Sequence, residues 1–308
     1  MLDTKHKSSY VAGMNKLALK TRVQILSMLV EGSSMRSISR IAGVSINTVT
    51  KLLVDAGAAC AAYHDDTVRD VKAARVQCDE IWSFCYAKEK NVAMAKAAPG
   101  GAGDVWTWTA LDSDSKMILA YEVGDRSGAT AIEFMDDLRS RLANRVQLTM
   151  DGLKAYLEAV EGAFGADVDY AMLVKLYGEA SGSKGHERKY SPAECVGARK
   201  VAIEGDPDMR DVSTSHVERQ NLSMRMGMRR FTRLTNAFSK KLENHLHMLS
   251  LYFVHYNFCR MHKTLRMSPA MAAGVSDTLR DVEWIVSLID ARAPKPGLRG
   301  PYAKTAKF

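Results

Sequence analysis

Apolar residues in the first 65 positions recur at helical spacing. Leu17, Val23, Leu26 and Val30 form one such stripe, which stops at Glu31-Gly32. After Ser33-Ser34, a pair suited to starting a helix, Met35, Ile38 and Ile41 mark a second short helix. Gly43 interrupts it. Ser45 can then cap a third helix with Ile46, Val49, Leu52 and Leu53 on its inner face. Two short helices joined by a tight glycine-containing turn predict a helix-turn-helix within an all-α domain over 1–65. The outer face of the third helix presents Asn47, Thr48, Thr50 and Lys51 beyond Ser45, and the preceding helix adds Arg36 and Arg40. Small polar and basic side chains at a helix start suit a DNA major groove. An ordinary helical unit with a solvated face has the same pattern.

From residue 76 the period changes. Val76 to Tyr86, Val105 to Leu111 and Met117 to Val123 read as strands, the last two separated by the turn-forming Asp112-Ser113-Asp114-Ser115. Thr130 to Leu142 reads as a helix with Ile132, Met135 and Leu138 inward. A short strand over Val146 to Met150 leads into Asp151-Gly152, followed by a helix over Leu153 to Phe164 and a strand over Val168 to Leu176. Residues 178–212 lack periodicity and read as an insertion. The chain turns helical again from Ser213, through most of Leu222 to Tyr256.

Three strands, helix, strand, helix, strand, insertion and helix is the element order of a ribonuclease-H-like α/β core, a mixed five-stranded sheet with flanking helices. The predicted organisation is a helix-turn-helix domain over 1–65, a linker over 66–75 and the catalytic core over 76–235. A helical region over 236–290 and a basic, disordered tail over 291–308 follow.

Composition narrows the function classes. An apolar fraction of 46% and a charged fraction of 25% are those of a globular protein. A net charge of +8 and a pI near 9.2 favour an anionic partner. No apolar run approaches the roughly 20 residues that span a bilayer, and the polar start from Met1 to Tyr10 lacks a signal-peptide core. The expected partner is therefore nucleic acid rather than membrane, and the expected compartment the cytoplasm. Cys60, Cys78, Cys85, Cys195 and Cys259 show no CxxC spacing and read as reduced thiols.

Phosphodiester chemistry near neutral pH benefits from metal ions bound by hard oxygen ligands, so the informative acids are those that converge from distant segments. Asp79 lies within the first strand among Val76, Ile81, Trp82 and Phe84, where an unpaired carboxylate is costly. Its neighbour Glu80 points to the opposite face by strand parity. Asp151 ends the fourth strand, at the kind of strand end where ligand sites collect in open α/β sheets. Glu218 lies near the start of the helix after Ser213, Thr214 and Ser215. In the inferred fold the first and fourth strands are neighbours and the last helix crosses them, so the three carboxylates meet at one sheet edge. Singly, each also fits a capping or surface acid.

Asp112 and Asp114 fit a hairpin turn, and Asp206, Asp208 and Asp211 form no metal loop. No HExxH occurs, so His216, His245, His247, His255 and His262 give poor support to a zinc hydrolase. Downstream of Glu218, Arg219, Arg225, Arg229, Arg230, Arg233, Lys240 and Lys241 precede the next acid, Glu243. A helix would carry Arg225 and Arg229 along the stripe of Glu218, suited to phosphate contacts. A solvated basic face is the plainer alternative.

Three segments, CDEIWSF (Cys78 to Phe84), TMDGLKAY (Thr149 to Tyr156) and STSHVERQNLSMRMGMRRFTRLTNAFSKK (Ser213 to Lys241), resemble bacterial insertion-sequence transposases of the IS-one type. These belong to the wider DDE recombinase and integrase group. YNFCRMHKTL (Tyr256 to Leu265), followed by Ser268-Pro269, is similar to the tail after the catalytic core of such enzymes. The resemblance implies that Asp79, Asp151 and Glu218 bind magnesium or manganese, with Arg225 as the basic residue after the glutamate. It further implies terminal-inverted-repeat and target DNA as partners, a homo-oligomer assembled on DNA, and the bacterial nucleoid as location. Two features depart from the pattern: the long interval between Asp151 and Glu218, and Thr214-Ser215 where an arginine often precedes the glutamate. A catalytically silent DNA-binding regulator derived from a transposase is the rival reading.

Overall fold

The computed structural model describes residues 16–178, 195–232 and 236–293. The first helices are α1 (Leu19–Val30), α2 (Met35–Ala42) and α3 (Ile46–Thr67). Ser34 and Ser45 start α2 and α3 as the sequence suggests: each hydroxyl accepts a backbone N–H, from Ser37 and Thr48 respectively, at 3.1 Å. Gly43 ends α2 in the left-handed region, at φ +64°, which a side chain would strain. Leu26, Ile38, Val49 and Leu53 are fully buried between these helices.

Among the described residues, seven further helices and six strands follow. They are β1 (Arg75–Cys85), α4 (Glu89–Val92), β2 (Gly103–Asp112), β3 (Ile118–Gly124), α5 (Gly128–Arg141), β4 (Gln147–Asp151) and α6 (Ala155–Phe164). Next come β5 (Asp169–Tyr177), β6 (Cys195–Glu204), α7 (Ser215–Gly227), α8 (Leu242–Val254), α9 (Pro269–Ala272) and α10 (Val282–Arg292). The strands form one mixed sheet in the order β3-β2-β1-β4-β5-β6. β1 runs antiparallel to β2 and parallel to β4, β4 is parallel to β5, and β5 is antiparallel to β6.

This sheet is compatible with a ribonuclease-H-like core, but it has six strands where five were expected. The sixth, β6, lies in the segment expected to be an irregular insertion. It is an edge strand exposed on both faces, so its residues show no apolar alternation and it is invisible to a periodicity search. Residues 179–194 of that segment lie outside the described residues, as does 294–308 of the expected tail.

Helices cover both faces. On one, Trp108 packs against Phe134 of α5 and Tyr156 of α6. On the other, Tyr121 packs against Phe253 and donates its hydroxyl hydrogen bond to Ser250, both of α8.

The amino-terminal helices do not stand apart from this core. α3 packs along α8 and α10. A Cβ at Gly57 would lie 2.4 Å from the Cβ of His247, so the two backbones touch where only glycine fits. The stretch expected as a linker, 66–75, buries Val68, Val71 and Ala73, and Val71 bridges to Leu142. Among the described residues no helix is long and apolar enough to cross a membrane.

Candidate active site

The parallel pairing of β1 with β4 ends at Cys78 opposite Met150. The next residues are Asp79 on β1 and Asp151, the last of β4. Asp151 therefore ends β4, where the chain leaves through Gly152, and Asp79 lies within β1 just past its last β4 partner, beside the crevice that forms beyond a parallel strand end in such sheets. Asp151 is anchored locally, its Oδ1 accepting the Leu153 N–H at 2.9 Å.

Asp79, Glu80 and Asp151 each offer an oxygen within 4.8 Å of the others, a group that could hold a metal ion. Asp79 and Glu80 do occupy opposite faces of β1, as parity requires. Gln77 and Asp79 face α7: Gln77 Oε1 accepts the His216 and Val217 N–H groups, and Asp79 Oδ2 accepts Asn221 Nδ2 at 2.8 Å. Glu80 faces α6, where its Oε2 accepts the Tyr156 hydroxyl at 3.1 Å. Parity nevertheless fails to exclude Glu80, because beyond Cys78 no β4 residue pairs with β1. At that free edge side chains from both faces can reach the same crevice.

Electrostatics mark the cluster. Burial pushes the Asp79 carboxyl up to about 7, helped by the charges of Glu80, Asp151 and Glu218. Glu80 is also raised, by burial first and then by Asp151, against the opposing pull of Arg126 and Tyr156. Crowded, half-desolvated carboxylates of this kind are stabilised by a cation. The donor set consists of hard oxygens, and the buried Oδ1 of Asn221 beside Asp79 has no hydrogen-bond partner. The residues present thus fit an oxygen-loving divalent ion.

Glu218, the third expected acid, is near but turned aside. Its Oε1 accepts hydrogen bonds from Lys175 Nζ at 2.5 Å and Thr214 Oγ1 at 2.6 Å. Burial would raise its carboxyl, yet the Lys175 and Thr214 hydrogen bonds and the Lys175 charge bring it below the ordinary range. Glu218 is close enough to Asp79 to repel it, but it lies outside the three-acid group.

Arg126, just beyond β3, faces Glu80. Its Nε and Nη2 lie 2.8 and 2.5 Å from Glu80 Oε1, Nη2 is 3.8 Å from Asp151 Oδ2, and the guanidinium stacks 4.8 Å over the Trp106 ring. Sequence reasoning set Glu80 aside by parity and did not single out Arg126, Tyr156, Lys175 or Asn221. Only Asn221 carried a usable signal, one turn after Glu218 on the same helix.

The expected DNA-contacting residues are more scattered. Ser45, Asn47 and Lys51 are exposed and Thr48 partly so. Ser45 and Thr48 also hydrogen-bond each other at 2.9 Å in the cap, and Lys51 pairs with Asp55 at 2.6 Å. Arg219 is exposed and Arg225 half-buried on α7. Arg229 does not continue their stripe: α7 ends at Gly227, Met228 is extended, and Arg229 begins a separate 3-10 turn. The long helix expected across Leu222 to Tyr256 is broken there and resumes as α8.

Other candidates resolve as structure. Asp112 accepts the Asp114 and Ser115 N–H groups in the β2–β3 turn. Asp208 pairs with Arg210 and Asp211 with Arg75. His245 is fully buried. His216 Nε2 lies 3.2 Å from Lys116 Nζ. The five cysteines are free.

No protein-family model matches the chain, and no curated protein matches it. Among solved structures, the chain is similar to a crystal structure of a pre-cleavage Mos1 transpososome, with a TM-score of 0.20 and 11% identity. The match covers 51% of this chain and 60% of that one, less than two thirds of its length. A likeness of this size carries no conclusion about activity.

Proposed function

We propose that the protein is a transposase of the insertion-sequence type that binds terminal repeats and carries out divalent-metal-dependent DNA strand cleavage and strand transfer. The observation that carries this reading is the convergence of Asp79 and Asp151 at the open edge between β1 and β4, with the Asp79 carboxyl raised by burial and by the neighbouring acids. Asp79 and Asp151 would hold magnesium or manganese, with Glu218 joining once it leaves Lys175. Such an ion activates the attacking oxygen and neutralises the leaving one.

The chain's own residues supply the rest. Glu80, satisfied by Arg126 and Tyr156, acts as a positioning residue that aims the guanidinium at the crevice. From there Arg126 can contact a non-bridging phosphate oxygen. Water attacks the phosphorus, the bond to O3′ breaks, and the released 3′-hydroxyl later attacks a phosphodiester of target DNA, giving up its proton and joining the target 5′-phosphate as the target's own P–O3′ bond breaks and that O3′ leaves as a hydroxyl. Arg219, Arg225 and Arg229 contact the DNA backbone near the cut, while Asn47, Thr48 and Lys51, on the α3 end that Ser45 caps, meet the repeat. Action on two element ends calls for a homo-oligomer on DNA.

One observation favours a silent regulator: Glu218 is engaged by Lys175 and Thr214. The two readings separate in a mobility assay, in which the protein is expressed beside a marker bounded by the genomic DNA from either side of its gene. New insertions bounded by short target duplications support the transposase. Tight repeat binding with no insertions or excisions would favour the regulator.

A further inference from the structure

Beyond the acids, β1 carries a second feature that the proposed chemistry does not use. Glu80, Trp82 and Phe84 alternate onto one face, and Trp106 of β2 pairs directly across from Trp82. Trp106 packs on the central core, whereas Trp82 and Phe84 are partly exposed and lie off it. The helices on this face meet the sheet at Trp108, leaving the rings further along only partly covered. Trp82 and Phe84 lie 5.8 Å apart between centroids, and Phe84 continues to Phe238 at 4.8 Å with a 33° tilt. Cations flank the row: exposed Lys88 places Nζ 5.6 Å from the Trp82 ring, and Arg126 stacks on Trp106. Trp82 begins about 7 Å along the strand from Glu80.

We propose that Trp82 and Phe84 form a stacking platform for unpaired nucleobases of a DNA strand that passes the acid cluster. The proposal rests on the reading of the protein as DNA-acting. Aromatic faces beside cations suit single-stranded nucleic acid, since every base offers a π-face and every nucleotide a phosphate. A purely apolar patch would not need the cations, and a purely phosphate-binding one would not need the rings. Lys88 meets the backbone of the stacked strand. Arg126, held between Trp106 and Glu80, joins the platform to the crevice.

The test uses the full-length protein in EDTA, so that binding is read without any cleavage. The probes are a labelled twelve-nucleotide dT strand and an abasic strand of equal length, which keeps the phosphates and lacks the bases. The wild type should bind the dT strand about tenfold more tightly, the effect of one stacked base. Trp82→Ala should remove that preference, Trp82→Phe should keep part of it, and Lys88→Ala should weaken both probes alike. As a check that needs no variant, a single 2-aminopurine in the strand should lose fluorescence on binding the wild type. Equal binding of both probes by the wild type overturns the platform, as does an unchanged preference in folded Trp82→Ala. So does a DNA-free dimer that sediments as a monomer once Trp82 is replaced, because the rings would then be a self-interface. A base preference lost in Trp82→Ala supports the platform even if the wild type never nicks DNA, which would count against the nuclease reading alone.

Discussion

Lys175 Nζ lies 2.5 Å from Glu218 Oε1, so the carboxylate expected to complete the metal site is paired with an amine from β5 instead. Both side chains are about one-third exposed or more, so water screens the pair and it contributes only on the order of 1 kcal/mol. That is small enough for a divalent ion to displace. Lys175→Met removes the competitor, and manganese binding measured by calorimetry should tighten by roughly fivefold. Unchanged or weaker binding would show that Glu218 does not serve the ion.

Asp79 makes the metal-free protein pH-sensitive in a definite direction. Its carboxyl titrates near 7 in the folded state against an ordinary 3.8. The folded state therefore binds the extra proton between those values. Stability from this group is fully present below about pH 4 and is lost as pH rises through 7. Asp79→Asn should stabilise the metal-free protein at pH 8 by up to ~4 kcal/mol and have little effect at pH 4. Urea unfolding in EDTA at both pH values checks this, and a destabilised Asp79→Asn at pH 8 would refute it.

Two buried histidines work the other way. Burial, then the Arg141 charge for His64 and the Arg230 charge for His245, lowers each to about 3. Each is neutral when folded and protonates near 6.5 when unfolded. Stability should therefore fall as pH drops from 6.5 toward 3, by about 1.4 kcal/mol per pH unit for each ring. In His245→Asn the melting temperature should lie lower at neutral pH but decline less steeply with acid. An unaltered slope would contradict the buried, neutral ring.

Glu80 is almost wholly buried, its side chain 1% exposed, and Arg126 is its cationic partner. Removing the guanidinium strands a carboxylate. Arg126→Ala should cost about 2–3 kcal/mol, a discount on a fully buried pair because Arg126 is half-exposed. Arg126→Ala with Glu80→Gln should recover most of it. A double variant no more stable than Arg126→Ala would mean that Glu80 is supported by other groups.

The contact of α3 with α8 at Gly57 ties α3 to the core. Gly57→Val forces the backbones apart and should cost at least about 2 kcal/mol in unfolding experiments. A neutral effect would argue that the first three helices form a separate unit after all.

The alternation around Asp79 and the strand end at Asp151 were legible because both follow from short-range pattern. The start of α3 was legible for the same reason, through Ser45 and its cap. Glu80 was not, because parity describes a strand with neighbours on both sides and β1 loses its neighbour at Cys78. Lys175 and Arg126 were hidden by distance, since they come from elements joined to the acids only in three dimensions. β6 was hidden because an edge strand exposed on both faces has no inner side to pattern. Val68, Val71 and Ala73 looked like a linker because a short irregular segment can be buried without any period.

The most direct measurement is nicking of supercoiled plasmid by purified protein in magnesium or manganese, with DNA retention followed in parallel. The wild type should nick with either ion and not in EDTA. Asp79→Asn and Asp151→Asn should each lose at least about a hundredfold in rate while retaining DNA. Cutting undiminished in Asp79→Asn, or equal in EDTA, would contradict a metal-dependent acid site at the β1–β4 edge.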